Sequence, residues 1–365
     1  MLPVLLFLGL ACFGLLAGEA RRPIVFGGNA LPGCRCVLLR ECPKLRPPRG
    51  QPLTREIIVA LQDVRCGFLG RIIKVCCEEE QPSPPTDLPL TCGDTNNINR
   101  IFGGRNAPLG GNPWMVALGY SVLGQGGQLE LSYECGATLV TRQHVVTAAH
   151  CVHPDAIGFQ TLKQANIGEW NTETDPDCFV SPATGRNICA PPVVVRQIAA
   201  VTWHPQYNTD GKYNNDIAVV RFDRPVTLGP YIQPICIPNN FDPNMLASSE
   251  WNPQALALGW GRTETLRSSP VLQEIRLPLV DMQRCNASSQ IKLNENQICA
   301  GGVTGEDTCS GDSGGPLVAT GKAGGKYFLI GLTSFGPSMC GSNGGFGVYT
   351  AVYKYRDWIV QSLAV

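Results

Sequence analysis

Three residues far apart in the chain carry the chemistry this sequence offers: a serine, a histidine and an aspartate. Ser313 lies in Asp307-Thr-Cys-Ser-Gly311-Asp312-Ser313-Gly-Gly-Pro316. A serine hydroxyl is a weak nucleophile until a base takes its proton and donors meet the oxyanion it creates. Glycines around Ser313 permit positive φ and close approach of a substrate backbone. The N–H groups of Gly311 and Ser313 can then point at one oxygen. The base is His150, in Val146-Thr-Ala-Ala-His150-Cys151, directly after an apolar run that reads as a buried strand. The orienting acid is Asp216, at the mouth of another apolar strand in Asn215-Asp216-Ile-Ala-Val-Val220. Such sets are recognised by role, and His, Asp, Ser is one of their known chain orders.

These side chains need strands to hold them. Residues 101–365 break into short apolar segments divided by Gly, Pro, Asn and Asp: Trp114 to Leu118, Ala137 to Val140, Val145 to Ala148, Ile217 to Phe222, Ala255 to Gly259, Phe328 to Ser334 and Gly347 to Ala351. That spacing argues for an all-β barrel or sandwich. One helical pattern, Val352 to Leu363, offers Trp358, Ile359 and Leu363 as a packing face.

With its three motifs in order, the stretch 101–365 resembles the chymotrypsin-fold serine proteases. The resemblance implies two six-stranded antiparallel barrels with the triad His150, Asp216 and Ser313 in the cleft, and an oxyanion hole made by the Gly311 and Ser313 amides. It also implies trypsin-like specificity. Asp307, six residues before the nucleophile, would sit at the base of a slot that favours Arg or Lys. Gly336 and Gly347 match two wall positions that keep the slot open. Ser334-Phe335-Gly336 would bind substrate as an added strand, with Phe335 where the family usually has tryptophan. The competing reading is a protease homologue that acts as a non-catalytic cofactor or binding module. None of the three residues is replaced, which argues against it.

Seventeen cysteines in 365 residues point away from a reducing cytosol, to a secreted, disulfide-bonded, extracellular protein with room for two or three domains. Residues 1–20 read as a cleaved secretory signal: an apolar core from Val4 to Leu16, then small residues before Arg21-Arg22. Cys12 leaves with it, and sixteen cysteines remain for eight bridges. No second long apolar stretch follows, so no membrane span is expected in the mature protein. Formal net charge is zero but uneven. Residues 21–77 hold eleven Lys/Arg against three Asp/Glu, while 101–365 hold seventeen against twenty. The basic front suits an acidic protein face, a microbial polyanion or plain solvation. Nothing resembles a nucleic-acid-binding motif.

Six cysteines fall between 34 and 77, in a segment too small to fold without bridges. Cys36-Val-Leu-Leu-Arg-Glu-Cys42-Pro, Arg65-Cys66-Gly67-Phe68 and Val75-Cys76-Cys77 resemble the clip domain of arthropod proteases. That resemblance implies the pairs Cys34–Cys76, Cys36–Cys66 and Cys42–Cys77. A zinc site is the rival, and the absence of histidine here counts against it. Residues 78–100 form a linker and activation segment, proline-rich and polar, without core-forming residues. Its end, Asn99-Arg100-Ile101-Phe-Gly-Gly104, places a basic residue before an Ile-x-Gly-Gly start. The resemblance implies a cut between Arg100 and Ile101 by an upstream protease, after which the new Ile101 ammonium would pair with Asp312. The similar string Pro23-Ile-Val-Phe-Gly-Gly28 has no protease start downstream of it.

By the same resemblance Cys135 pairs with Cys151, Cys285 with Cys299 and Cys309 with Cys340, and Cys92–Cys236 tethers the light chain. Cys178 and Cys189 remain as a pair bracketing an extra loop like that of prophenoloxidase-activating and Easter-type clip proteases. Glu169-Trp-Asn171-Thr-Glu-Thr174-Asp-Pro-Asp177 is oxygen-rich. Its Glu169 and Asp177 carboxylates, with the Asn171 and Thr174 carbonyls, resemble the family's calcium loop; an acidic solvated turn is the alternative. No cofactor is expected for catalysis. Asn286-Ala-Ser288 is a glycosylation acceptor sequence. His144, His153 and His204 have no partners at metal-ligand spacing. The implied partners are a protein zymogen as substrate, in prophenoloxidase activation or Toll-ligand processing, and a serpin inhibitor.

Overall fold

The computed structural model describes residues 34–39, 42, 65–69, 72–78, 87–95 and 106–364, apart from 125, 183, 210, 240, 242–250, 264–265, 267, 289–291, 304–307, 310, 322–324 and 337–344. The proposed signal segment, Arg100, Ile101, Asp307 and Cys340 lie outside the described residues. The chain divides into two compact units, Met1–Gln81 and Pro82–Val365.

In the first unit, β1 (Cys34–Leu38), β2 (Arg65–Leu69) and β3 (Ile72–Glu78) form an antiparallel sheet in the order β1-β3-β2. Val75 is fully buried, and Cys36–Cys66 bridges β1 to β2. Cys42 is disulfide-bonded as well. The side chains of Cys34, Cys76 and Cys77 lie outside the described set.

The second unit contains two closed six-stranded antiparallel barrels. The first is built from β4 (Met115–Leu123), β5 (Leu129–Leu139), β6 (His144–Thr147), β7 (Thr161–Ile167), β10 (Val194–Trp203) and β11 (Ala218–Phe222), in the order β10-β11-β6-β5-β4-β7. A separate ribbon, β8 (Cys178–Val180) with β9 (Asn187–Cys189), interrupts it and carries the Cys178–Cys189 bridge. The second barrel holds β12 (Gln254–Gly259), β13 (Gln273–Val280), β14 (Gln297–Gly301), β15 (Pro316–Thr320), β16 (Tyr327–Phe335) and β17 (Phe346–Ala351), in the order β12-β13-β14-β17-β16-β15. Apolar runs such as Val145-Val146 and Ala255-Leu-Ala-Leu258 are buried along their length, which is why they read as strands.

The C-terminal pattern begins as a 3₁₀ turn, Val352–Tyr355, and becomes an α-helix at Arg356–Ser362. Ile359 and Leu363 are fully buried and Trp358 packs beside them on the first barrel's core. At 25 cal/mol per Å², burying one such aliphatic side chain contributes about 2 kcal/mol. A single Ile359→Asp change would therefore free the helix from its seat.

Candidate active site

Asp216 is the innermost member of the site. It leads into β11 and is fully buried. A buried carboxylate is costly unless every oxygen is met by a donor. Here the His150 main-chain N–H donates to Oδ1 at 2.9 Å, and His150 Nδ1 donates to Oδ2 at 2.8 Å. The Ser334 hydroxyl donates to the same Oδ2 at 2.5 Å, and Thr350 Oγ1 donates to the Asp216 carbonyl at 2.7 Å. The loop before it is strained: Tyr213 and Asn215 have φ of 63° and 51°. Tyr355 holds Asn215 there, its hydroxyl donating to Asn215 Oδ1 at 2.8 Å.

His150 sits in a 3₁₀ turn, Ala149–Cys151, with 18% of its side chain exposed. Burial alone would lower its pKa, but the charge and hydrogen bond of Asp216 outweigh burial and hold it above the usual imidazole value. The ring lies against the Cys135–Cys151 bridge. That grouping is no metal site, because both sulfurs are spent in the disulfide. Gly136, the next residue on β5, donates its N–H to the Ser313 carbonyl at 2.8 Å. His150 and Ser313 are thus held on the same dipeptide, Cys135-Gly136. The Ser313 hydroxyl makes no hydrogen bond among the described residues. Catalytic contacts often tighten only when substrate arrives.

The turn around Ser313 shows why glycine is needed there. Gly311 has φ +96°, and a Cβ on it would meet Gly261 Cα at 2.8 Å; a Cβ on Gly314 (φ +70°) would meet Thr147 Oγ1 at 2.1 Å. The N–H groups of Asp312, Gly314 and Gly315 donate to Cys309, Thr333 and Asp312 carbonyls. Those of Gly311 and Ser313 donate to nothing among the described residues. Two free N–H groups two residues apart are what an oxyanion requires.

Asp312 points away from this turn. Its carboxyl is enclosed, taking the Gly261 N–H on Oδ1 and the Cys309 N–H on Oδ2, each at 2.8 Å. Burial pushes it up to about 6, against the pull of those two N–H groups. No cation pairs with it among the described residues.

Ser334 ends β16 buried, Phe335 is half-buried and Gly336 is exposed. A Cβ built on Gly336 would stand 3.8 Å from Gly347 Cα, so these two glycines face each other across a gap about one side chain wide. Tyr213 stacks on Phe335, ring centres 5.0 Å apart, and meets the His150 ring edge-on at 6.0 Å. Thr308, beside Asp307, shares a hydrogen bond with Tyr349 at 3.0 Å. Sequence reading did not anticipate Tyr213, Thr350, Tyr355 or the Ser334 hydroxyl as parts of this site.

The calcium-type loop holds two buried acids, Glu169 and Asp177. Burial first, then the Asp177 charge, raise the Glu169 carboxyl, and neither acid pairs with a cation among the described residues. Asp177 Oδ2 accepts the Trp170 and Asn171 N–H groups at 3.0 Å each, and Oδ1 accepts the Thr174 hydroxyl at 2.6 Å. Two mutually repelling buried carboxylates short of a positive charge fit a hard divalent cation. Glu169, Asp177 and the Asn171 and Thr174 carbonyls would hold it, in a structural role.

Five bridges are closed among the described residues: Cys36–Cys66, Cys92–Cys236, Cys135–Cys151, Cys178–Cys189 and Cys285–Cys299. Cys309 is also disulfide-bonded. Asn286 is exposed on the helix Met282–Ser288, its Oδ1 accepting the Leu293 N–H at 2.9 Å.

Two barrels with a histidine–aspartate pair beside a serine turn define the serine-protease class of β-protein. Residues 101–359 match the Trypsin family, and residues 32–77 match the regulatory CLIP domain of proteinases. The chain belongs to the trypsin family and carries an N-terminal CLIP domain. It is 34% identical over 362 residues to CLIP domain-containing serine protease HP8 of Bombyx mori, covering 93% of this chain and 94% of that one. It is 35% identical over 344 residues to Phenoloxidase-activating factor 1 of Holotrichia diomphalia, covering 89% of each. Identity to the Spaetzle-processing enzyme of Drosophila melanogaster is 33% over 361 residues, covering 90% and 88%. Among solved structures, the Drosophila Grass clip serine protease of the Toll pathway matches with a TM-score of 0.63 and 28% identity, over 91% of this chain and 94% of that one. No described helix is long and apolar enough to cross a membrane.

Proposed function

We propose that this chain is the secreted zymogen of a trypsin-like serine endopeptidase, switched on by cleavage after Arg100. It then cuts protein substrates after Arg or Lys in an arthropod proteolytic cascade. One observation carries the reading: buried Asp216 holds His150 by both ring and backbone, while Gly311 and Ser313 keep free N–H groups at the serine turn.

Each step has an owner. His150 Nε2 takes the proton of Ser313 as Oγ bonds the scissile carbonyl carbon. Asp216 keeps the ring oriented through Nδ1 and stabilises the imidazolium. The Gly311 and Ser313 N–H groups receive the negative oxygen. Collapse breaks the C–N bond, and His150 returns its proton to the departing amine. Water then repeats the sequence to release the acyl group. Asp307 would select Arg or Lys between the Gly336 and Gly347 walls. The Ile101 ammonium freed by cleavage would pair with Asp312, whose enclosed carboxyl lacks a counter-charge. Relatives named for phenoloxidase activation and Spaetzle processing favour a zymogen or cytokine precursor as substrate. An upstream protease and a serpin would start and stop the enzyme.

The test is cleavage at Arg100 followed by assay on chromogenic peptides ending in Arg, Lys, Phe or Ala, with Ser313→Ala as control. Turnover of Arg and Lys peptides alone supports the reading. Preference for Phe or Ala refutes the role given to Asp307.

A further inference from the structure

The β4–β5 hairpin runs well past the barrel. Leu123 and Leu129 are cross-strand partners at its free end, and Leu131 pairs with Ser121 two residues nearer the barrel. Side chains alternate along a strand, so all three leucines share one face. They are 74%, 73% and 46% exposed, an uncommon concentration of large apolar side chains in a polar setting. The face has a built floor: Leu131 and Tyr133 lie over Gly119, where an added Cβ would stand 3.2 and 3.3 Å from them. The opposite face carries Tyr120 into the core. The turn is closed by backbone bonds, Gly124 N–H to Gln128 O at 2.8 Å and Gly127 N–H to Gly124 O at 3.0 Å.

Position tells what would cover this face. The hairpin strand β5 starts at the nucleophile, since Gly136 donates to the Ser313 carbonyl. Ser334–Gly336 on β16 takes the acyl side of a bound chain in the reading above. The leaving side is therefore left to the Cys135-Gly136 end of β5, and the hairpin extends outward from there. At about 3.3 Å per residue, Leu131 lies about 16 Å along β5 from Gly136 and Leu129 about 23 Å. An extended substrate would span those distances with its fifth to seventh residues after the scissile bond. Residues 119–134 include Glu130 and Glu134 and no Lys or Arg, so the local field favours a basic neighbour.

We propose that the exposed Leu123–Leu129–Leu131 face is an exosite for the protein substrate, gripping an apolar stretch with a flanking Lys or Arg on the leaving-group side of the cleavage point. This rests on the protease reading and adds a second determinant of specificity, separate from the arginine slot.

The experiment uses the protein cut at Arg100 and three substrates. One is a short Arg chromogenic peptide. The second is a quenched peptide with ten residues after Arg, bearing Leu at the fifth and seventh positions and Lys beside them. The third replaces both Leu by Ser. The Leu peptide should exceed the Ser peptide about tenfold in kcat/KM, through KM. Leu129→Ser with Leu131→Ser should erase that preference and leave the chromogenic rate unchanged. Equal use of both long peptides by the unsubstituted enzyme, or a preference that survives the double substitution, overturns the exosite. So does sedimentation showing a dimer that the double substitution dissolves, because the leucines would then serve a second copy of the chain. Fluorescence anisotropy of the ten-residue Leu segment on the Ser313→Ala protein decides the matter without catalysis: binding lost in the double variant supports the exosite, and no binding overturns it. Failure on the chromogenic peptide alone would count against the protease reading instead.

Discussion

Ser334 donates its hydroxyl to the Asp216 oxygen that also receives the His150 ring proton. The second barrel thereby fixes a carboxylate that belongs to the first. Oδ2 carries two donors, so the acid is pinned in the rotamer that orients imidazole.

Ser334→Ala removes one of those donors and leaves the backbone unchanged. A hydrogen bond to a charged acceptor is worth about 1.5–3 kcal/mol when made, and part of that is recovered by relaxation. The expected outcome is a fall in kcat of about tenfold with KM nearly constant, measured by steady-state assay of the cut enzyme. An unchanged kcat would remove Ser334 from the positioning network.

Asp216→Asn should lower kcat by about 10⁴-fold, as loss of the orienting carboxylate does in such sets. The pH profile gives a second readout. Neutral His150 is the base, so kcat/KM rises as pH passes upward through its pKa. Burial lowers that pKa and Asp216 more than reverses the effect. The acid limb of the unsubstituted enzyme should therefore lie above the usual imidazole range, and the limb of the variant below it. Superimposable limbs would contradict this account of His150.

Asp312 predicts how the uncut protein responds to pH. Its enclosed carboxyl titrates near 6 in place of 3.8. A folded-state pKa above the unfolded value means stability that is complete below about pH 3.8 and is lost as pH rises through 6, by about 3 kcal/mol. An ammonium beside Asp312 would cancel the loss. Urea unfolding of Arg100→Gln precursor and of cut Ser313→Ala protein should therefore diverge between pH 4.5 and 7.5, with the precursor losing more. Parallel profiles would argue against the docked amine.

Calcium should raise the melting temperature at pH 7.5, and Glu169→Gln should abolish that gain. The rate on a short Arg peptide should stay the same when calcium is removed at 25 °C, because the ion would act on the loop and not on the chemistry. Equal melting with and without calcium would leave the loop as a self-closed acidic turn.

Much of this was legible in sequence, for identifiable reasons. Strands such as Val145-Val146 and Ala255–Leu258 are apolar runs because both of their faces are enclosed. The strand Val194–Trp203 escaped notice because Arg196 and Gln197 interrupt it; it alternates between half-buried and exposed positions. Its partner strand supplies the missing apolar surface. The roles of His150 and Ser313 were readable because each lies in a local motif. The Ser334–Asp216 bond joins residues 118 apart, and Tyr213 reaches Phe335 and His150 only through the fold. The Glu169 loop showed its oxygens in sequence, whereas the burial of both acids depends on barrel packing around them.

Fluorophosphonate labelling of the precursor before and after cutting at Arg100 tests the central claim most directly. The account predicts one equivalent of label, on Ser313, in the cut protein and negligible labelling of the Arg100→Gln precursor over the same interval. Labelling of both forms at one rate, or of neither, would contradict it.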